Sequence, residues 1–243
     1  MEANKPLPDL SDSPRDTFHR SRHSPVIDAV VNRRSVRRFL STPVPLDAVK
    51  AILSASSRAP SGTNVQPWHV HVVTGATRAN LSRAVTQAAE AGERSNEYPY
   101  APAPLGEPYI SRRRKVGYDL YKLYGIARDD FAGRKQAMLR NFEFFGAPVG
   151  LFFTMEKNLL FGSWLDCGMF MQNVMILARA HGLETCPQQA WCEYGRVVHD
   201  QLGIPDTHVV VSGMALGHPD PDAPENTLIS DRVSVDDFAV FHQ

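Results

Sequence analysis

The sequence predicts an α+β fold. Helical and strand periodicities follow one another irregularly, no regular strand–helix–strand alternation appears, and no segment recurs at a fixed spacing. The 243 residues can bury a sizeable core as one domain, and 43% hydrophobic against 21% charged residues is ordinary for a globular protein.

Residues 1–23 are rich in Pro, Ser, Asp and Arg and read as a flexible arm; 24–243 read as a single domain. Ser24-Pro25 supplies a cap and a first-turn proline, and Val26, Ile27, Val30 and Val31 follow at helical spacing up to Arg33. A second helix carries Leu46, Val49, Ile52 and Leu53 on one face and stops at Pro60-Ser61-Gly62. HVHVV at 69–73 is a strand, and the alanine-rich stretch 77–91 is a helix halted by Gly92. Residues 93–110 hold too many prolines for a helix or a central strand and read as a surface excursion containing Tyr98, Tyr100 and Tyr109. Helices are expected at 111–124 and 128–145, and a buried strand at 147–155. A long helix, apolar on most sides, fits 163–181 and is closed by Gly182. A short strand near 183–187, a helix at 193–202 and a strong strand at 208–216 complete the ordered part.

Lys plus Arg and Asp plus Glu both number 26, so no global field attracts nucleic acid or an anionic membrane. No apolar run is long enough for a bilayer and the N-terminus lacks a signal-peptide core. Cys167, Cys186 and Cys192 are odd in number and form no CxxC pair, which suits a reducing cytoplasm.

Dinucleotide, phosphate-loop and nucleophile-elbow signatures are missing. His19 and His23 have helical metal-ligand spacing but fall in the arm, and His218, Asp220 and Asp222 alternate with prolines as in a polar turn. Neither makes a metal site, and the cysteines default to core packing. RRSVRRF at 33–39 is different. Its arginines can be a solvated helix end, or Arg forks and a serine hydroxyl holding a phosphate. APSGTNVQPWHV at 59–70 offers backbone N–H groups, Asn64, Gln66 and the Trp68 plane, suited to a flat polar heterocycle or simply a capped turn.

Together, RRSVRRF and PSGTNVQPW resemble the paired motifs of the nitroreductase family of FMN flavoproteins, nearest its nitrobenzoate and dinitroaniline reductase branch. The resemblance extends over the 163–181 helix, the CPQQ segment, HVVVSGMALGHP and the late Arg232. It implies a central, mostly antiparallel sheet flanked by helices in an intertwined homodimer. It also implies that Arg33, Arg34, Ser35 and Arg232 grip the FMN phosphate and that Arg37 faces the pyrimidine edge. Pro60, Ser61 and Asn64 would come from the partner subunit, with Gln66 a further flavin contact. Pro187, Gln188 and Gln189 would run beside the ring, and Gly217 near the phosphate. Gln189-Ala190 stands where the family often has an acidic residue and glycine. NADPH or NADH would reduce the flavin, and a nitroaromatic compound or quinone would reoxidise it in the same pocket, with no obligatory general acid. The variable 93–135 region would cover the site and set the substrate. Reductive dehalogenation or enone reduction on the same scaffold is the alternative chemistry; a non-catalytic anion- or RNA-binding module, using SRRRK at 111–115 as a second patch, is the distant one.

Overall fold

The computed structural model describes residues 24–243; the expected arm, with His19 and His23, lies outside the described residues. The chain runs through α1 (Pro25–Asn32), α2 (Leu46–Ser56), β1 (His69–Val73), α3 (Gly75–Ala91), α4 (Tyr109–Leu123) and α5 (Phe131–Leu139). It continues through β2 (Val149–Glu156), α6 (Phe161–Ala180), β3 (Glu184–Gln188), α7 (Gly195–Leu202), β4 (His208–Gly217) and α8 (Val235–Phe238).

The strands pair antiparallel in the order β1-β2-β4-β3. All of β4, and β2 up to its last residue, are buried. Helices cover both faces of the sheet, so these strands read as unbroken apolar runs rather than as alternation. On one face Leu151, Phe153 and Met155 pack with Val49 and Ile52 of α2 and with Phe170 and Val174 of α6. On the other, Phe152 and Val210 pack with Leu81 and Val85 of α3, Val198 of α7 and Trp191. Burying each such side chain contributes roughly 1.5–3 kcal/mol. The two central strands therefore anchor the fold.

Val209 and Val211 face the α2/α6 side, but farther along β4 Met214 and Leu216 do so. A β-bulge changes the parity: Phe153 pairs with Ser212 and Thr154 with Val210, leaving Val211 unmatched.

The helix expected over 128–145 is shorter. Asp130 caps it by accepting from the Gly133 N–H at 2.8 Å, α5 ends at Leu139, and 140–146 is a 3-10 segment with Phe144 and Phe145 both at φ 53°. Phe142, Phe144 and Phe145 are all buried, and a straight helix cannot turn three rings within four positions into one core. The helix expected from 193 starts as a 3-10 turn over 189–193 and becomes α7 only at Gly195. Among the described residues no helix is long and apolar enough to cross a membrane.

Candidate functional site

Arg33 takes extended geometry (φ −61°, ψ 129°) and ends α1, so the motif continues as an edge segment rather than a helix end. Val36 donates its N–H to Thr185 O at 3.1 Å, Phe39 donates to Phe145 O at 3.1 Å, and Leu40 to His218 O at 2.9 Å. These bonds lay residues 33–40 along β3 and past the end of β4. Val36 and Phe39 enter the core, which leaves Arg33, Ser35 and Arg37 half-buried and Arg34 and Arg38 exposed.

Arg33, Arg34, Ser35 and Arg37 line a cavity of about 540 Å³, walled by Val30 and Val31 of α1, Val116 of α4 and the tail residues 228–232. Arg232 enters it from that tail. Burial and then the nearby Arg232 guanidinium hold Arg33 below its usual value, with Glu184 pulling the other way. Glu184 is itself held by Arg179. Among the described residues none of the four cavity arginines forms an ion pair with a carboxylate. Asp231, the acidic residue lining the cavity, pairs instead with Lys115 at 3.1 Å. Two guanidiniums that line one cavity and repel each other suit an anion.

The backbone under these arginines is fixed from afar. Asn226 Oδ1 accepts from the N–H of Arg37 (2.8 Å) and of Arg38 (3.2 Å), and its Nδ2 donates to Arg38 O and Asp220 O. Arg140 donates to Arg37 O at 3.0 Å and to Glu225 at 3.1 Å, and stacks on Tyr124. Glu225, nearly fully buried, also pairs with Arg38 at 3.0 Å. Burial alone would raise its carboxyl; a backbone hydrogen bond, Arg38 and Arg140 outweigh that and hold it below the usual carboxylate range. Asn226, Glu225 and Arg140 escaped sequence reading. Nothing in the sequence sets residues 140 and 225–226 beside 37–38, so no local signal could have found them.

Cys186, beneath the arginines, has its thiol pushed up to about 11 by burial, despite Arg37, Arg33 and Ser35. It stays a neutral thiol.

The second motif lies elsewhere on the chain. Ser61 Oγ accepts from the Gln66 N–H at 3.0 Å, Gln66 Nε2 donates to Asn64 O at 3.2 Å, and the Gly62 N–H donates to Asp166 at 3.3 Å. Thr63, Asn64 and Gln66 all have positive φ (46°, 63° and 50°), a strained turn of the kind kept at binding sites. Trp68 anchors it by stacking on Phe170 of α6 at 4.8 Å. Pro60, Asn64 and Gln66 are exposed, Ser61 is half-buried, and none lines the arginine cavity.

Of the β3 residues, Pro187 is half-buried, whereas Gln188 is 2% exposed and donates Nε2 to Asn141 O at 2.7 Å. The Gln188 side chain is thus committed to the interior. Gln189 is exposed, and its Nε2 donates to the Tyr98 hydroxyl at 3.2 Å. Gly217 has a packing reason of its own: a Cβ there would lie 2.8 Å from Pro148 Cδ. One chain therefore gathers Arg33, Arg34, Ser35, Arg37 and Arg232 at the cavity and leaves the other expected contacts outside its lining.

The family model described as "Nitroreductase family" matches residues 30–218. A nitrobenzene nitroreductase from Ectopseudomonas oleovorans is 40% identical over 221 residues, covering 90% of this chain and 97% of its own. A 4-nitrobenzoate reductase from Pseudomonas putida is 40% identical over 215 residues, 88% of this chain and 94% of its own. Among solved structures, the FMN and NADPH-dependent nitroreductase NfnB from sphigopyxis sp. strain HMH superposes with a TM-score of 0.88 at 40% identity, covering 90% of this chain and 99% of its own. The FMN-dependent nitroreductase NfnB from Mycobacterium smegmatis, in complex with NADPH, gives a TM-score of 0.87 at 29% identity, with 90% and 98% covered.

Proposed function

The chain belongs to the nitroreductase family, and from that premise we propose that it is an FMN-dependent oxidoreductase driving two-electron reduction of nitroaromatic compounds with NADPH or NADH. The observation that carries the proposal is the cavity joining Arg33, Arg34, Ser35 and Arg37 to Arg232. Its volume of about 540 Å³ is within the usual range for small-molecule sites. A phosphate monoester supplies the anion that the Arg33–Arg232 pair calls for, and guanidinium forks match its oxygens. The residues present therefore fit FMN.

When bound, FMN supplies the hydride acceptor and two-electron donor. Arg33 and Arg232 would hold the phosphate, with Arg34 and the Ser35 hydroxyl beside them. Arg37 would place positive charge where reduction builds up electron density. Its backbone is pinned by Asn226 and Arg140, so this field is set before the cofactor arrives. Val30 and Val31 of α1 and Val116 of α4 add an apolar side to the same pocket. No general acid is assigned, because solvent can supply the protons of nitro reduction.

The relatives' substrates, nitrobenzene and 4-nitrobenzoate, support a substituted nitrobenzene as acceptor, and the NADPH named with two solved relatives supports that donor. A homodimer accounts for the second motif: Pro60, Ser61, Asn64 and Gln66 would complete the partner's site. The apolar stripe of Phe161, Leu165 and Met169 along α6 supports this, because all three are exposed in one chain. The free cysteines support a reducing compartment such as the cytoplasm.

The test is the absorbance spectrum of the purified protein, followed by anaerobic NADPH and then 4-nitrobenzoate. A flavin band that bleaches and then returns as the nitro compound is consumed is expected. A colourless protein that cannot be reconstituted with FMN overturns the proposal.

A further inference from the structure

The SRRRK run at 111–115 of α4 has no part in the chemistry proposed so far. Arg112, Arg113 and Arg114 are exposed, and among the described residues none of them forms an ion pair with a carboxylate. Their neighbour Lys115 behaves differently. It bridges Asp119 at 2.7 Å and Asp231 at 3.1 Å, so these two carboxylates already have their cation. Three adjacent guanidiniums without a counter-charge repel one another, and an anion would relieve that.

Helical spacing sorts the three. Arg112 and Arg113 precede Val116 by four and three residues and share its face, and Val116 lines the arginine cavity. Arg114 precedes it by two and turns to the far side of α4. The Lys115–Asp231 bridge ties this helix to the tail that carries Arg232, so the arginine pair stands at the cavity rim. Arg112 also lies over the Tyr109 ring, 5.8 Å from its centre, and that ring is 60% exposed. A pair of guanidiniums and an open aromatic face one turn apart match a phosphate carried on a nucleoside.

One participant in the proposed reaction carries such a group away from the flavin. The cavity of about 540 Å³ has room for one cofactor and not for a whole dinucleotide beside it, so the donor's adenosine end stays at the rim. NADPH differs from NADH by a phosphate monoester at the 2′ position of that adenosine's ribose, a group that arginine accommodates. We propose that Arg112 and Arg113 bind the 2′-phosphate of NADPH and make this chain prefer NADPH to NADH, with the Tyr109 ring beside the adenine. The proposal rests on the reductase reading and settles which donor its site takes.

The experiment compares kcat/KM for NADPH and for NADH in the FMN-loaded enzyme. The ratio of the two should favour NADPH in the wild type and fall about tenfold in Arg112→Ala or Arg113→Ala, each of which loses one charged contact. Arg113→Lys should keep part of the preference, because an ammonium retains the charge but not the fork. Arg114→Ala removes the same charge from the opposite face and should leave the ratio unchanged. A ratio that none of the alanine variants moves overturns the proposal, since nothing then reads the phosphate. An equal fall in all three overturns it too, since the run then acts only as a diffuse field. A second readout needs no turnover. In calorimetric titration of the FMN-loaded protein, adenosine 2′,5′-bisphosphate should bind more tightly than adenosine 5′-monophosphate, and the two should bind alike once Arg112 and Arg113 are both alanine. Equal binding to the wild type overturns the assignment. Failure of the reductase reading would show separately, as a protein that retains no FMN or whose flavin neither donor bleaches.

Discussion

Alternation along an extended segment sends neighbouring arginines of 33–39 to different tasks. Arg33 lines the cavity, while the half-exposed Arg38 turns to the buried Glu225. Arg33→Ala should therefore release FMN, read as the flavin-to-protein absorbance ratio after gel filtration. Arg38→Ala should keep its flavin and lose about 1 kcal/mol, a modest amount because Arg140 still pairs with Glu225. Equal flavin retention in the two variants would remove the assignment. Asn226→Ala should cost more, about 2–3 kcal/mol in urea unfolding, because it strips partners from the Arg37 and Arg38 backbone together. The cavity arginines were legible because a charge cluster in a charge-neutral chain asks for a partner. Asn226 was not, because its importance lies in distances across the fold, and single-sequence reading contains none.

At the scale of elements, periodicity located what packs regularly and missed what bends. It placed β1 at its observed residues and α3 up to Gly92, which stops it at φ 75°. It overran α5, where a core demanding three phenylalanines broke the helix, and it could not see the bulge in β4, because both parities there are apolar. The turn at 60–68 was legible as a turn, but its strain was not. Thr63 is β-branched and sits at φ 46°, ψ 27°, a conformation asparagine tolerates better. Thr63→Asn should stabilise the protein by about 0.5–1 kcal/mol in urea unfolding. β1 carries a pH effect as well. Burial, then His208, His69 and His199, hold His71 below its usual 6.5. The unfolded chain then takes up a proton below about pH 6.5 that the native state refuses, so stability is lost as pH falls through that value. His71→Gln should flatten the denaturation midpoint between about pH 7 and 5; an unchanged slope would point to another group.

Across the whole molecule, the two motifs that suggest one cofactor site are kept apart within one chain. The arginines face the cavity, whereas the 60–66 turn is fastened to α6 through Asp166 and Phe170. On α6 itself Phe161 and Leu165 are 87% and 71% exposed. Leaving such residues in water forgoes roughly 1.5–3 kcal/mol each, which a second copy of the chain would recover. If the proposed site is shared, damage to the two motifs should complement. Take Arg33→Ala and Asn64→Ala, each expected to load little FMN as a homodimer. In a mixed dimer one site combines both defects, but the other joins an intact Arg33 from one chain to an intact Asn64 from the other. Mixing the variants under conditions that exchange subunits should therefore restore flavin to one of the two sites in each heterodimer. Leu165→Arg in either chain should abolish the recovery by blocking association, seen as a monomer in light scattering. A turn that served its own chain would give no recovery at all, because every site in the mixture would then carry one of the two defects.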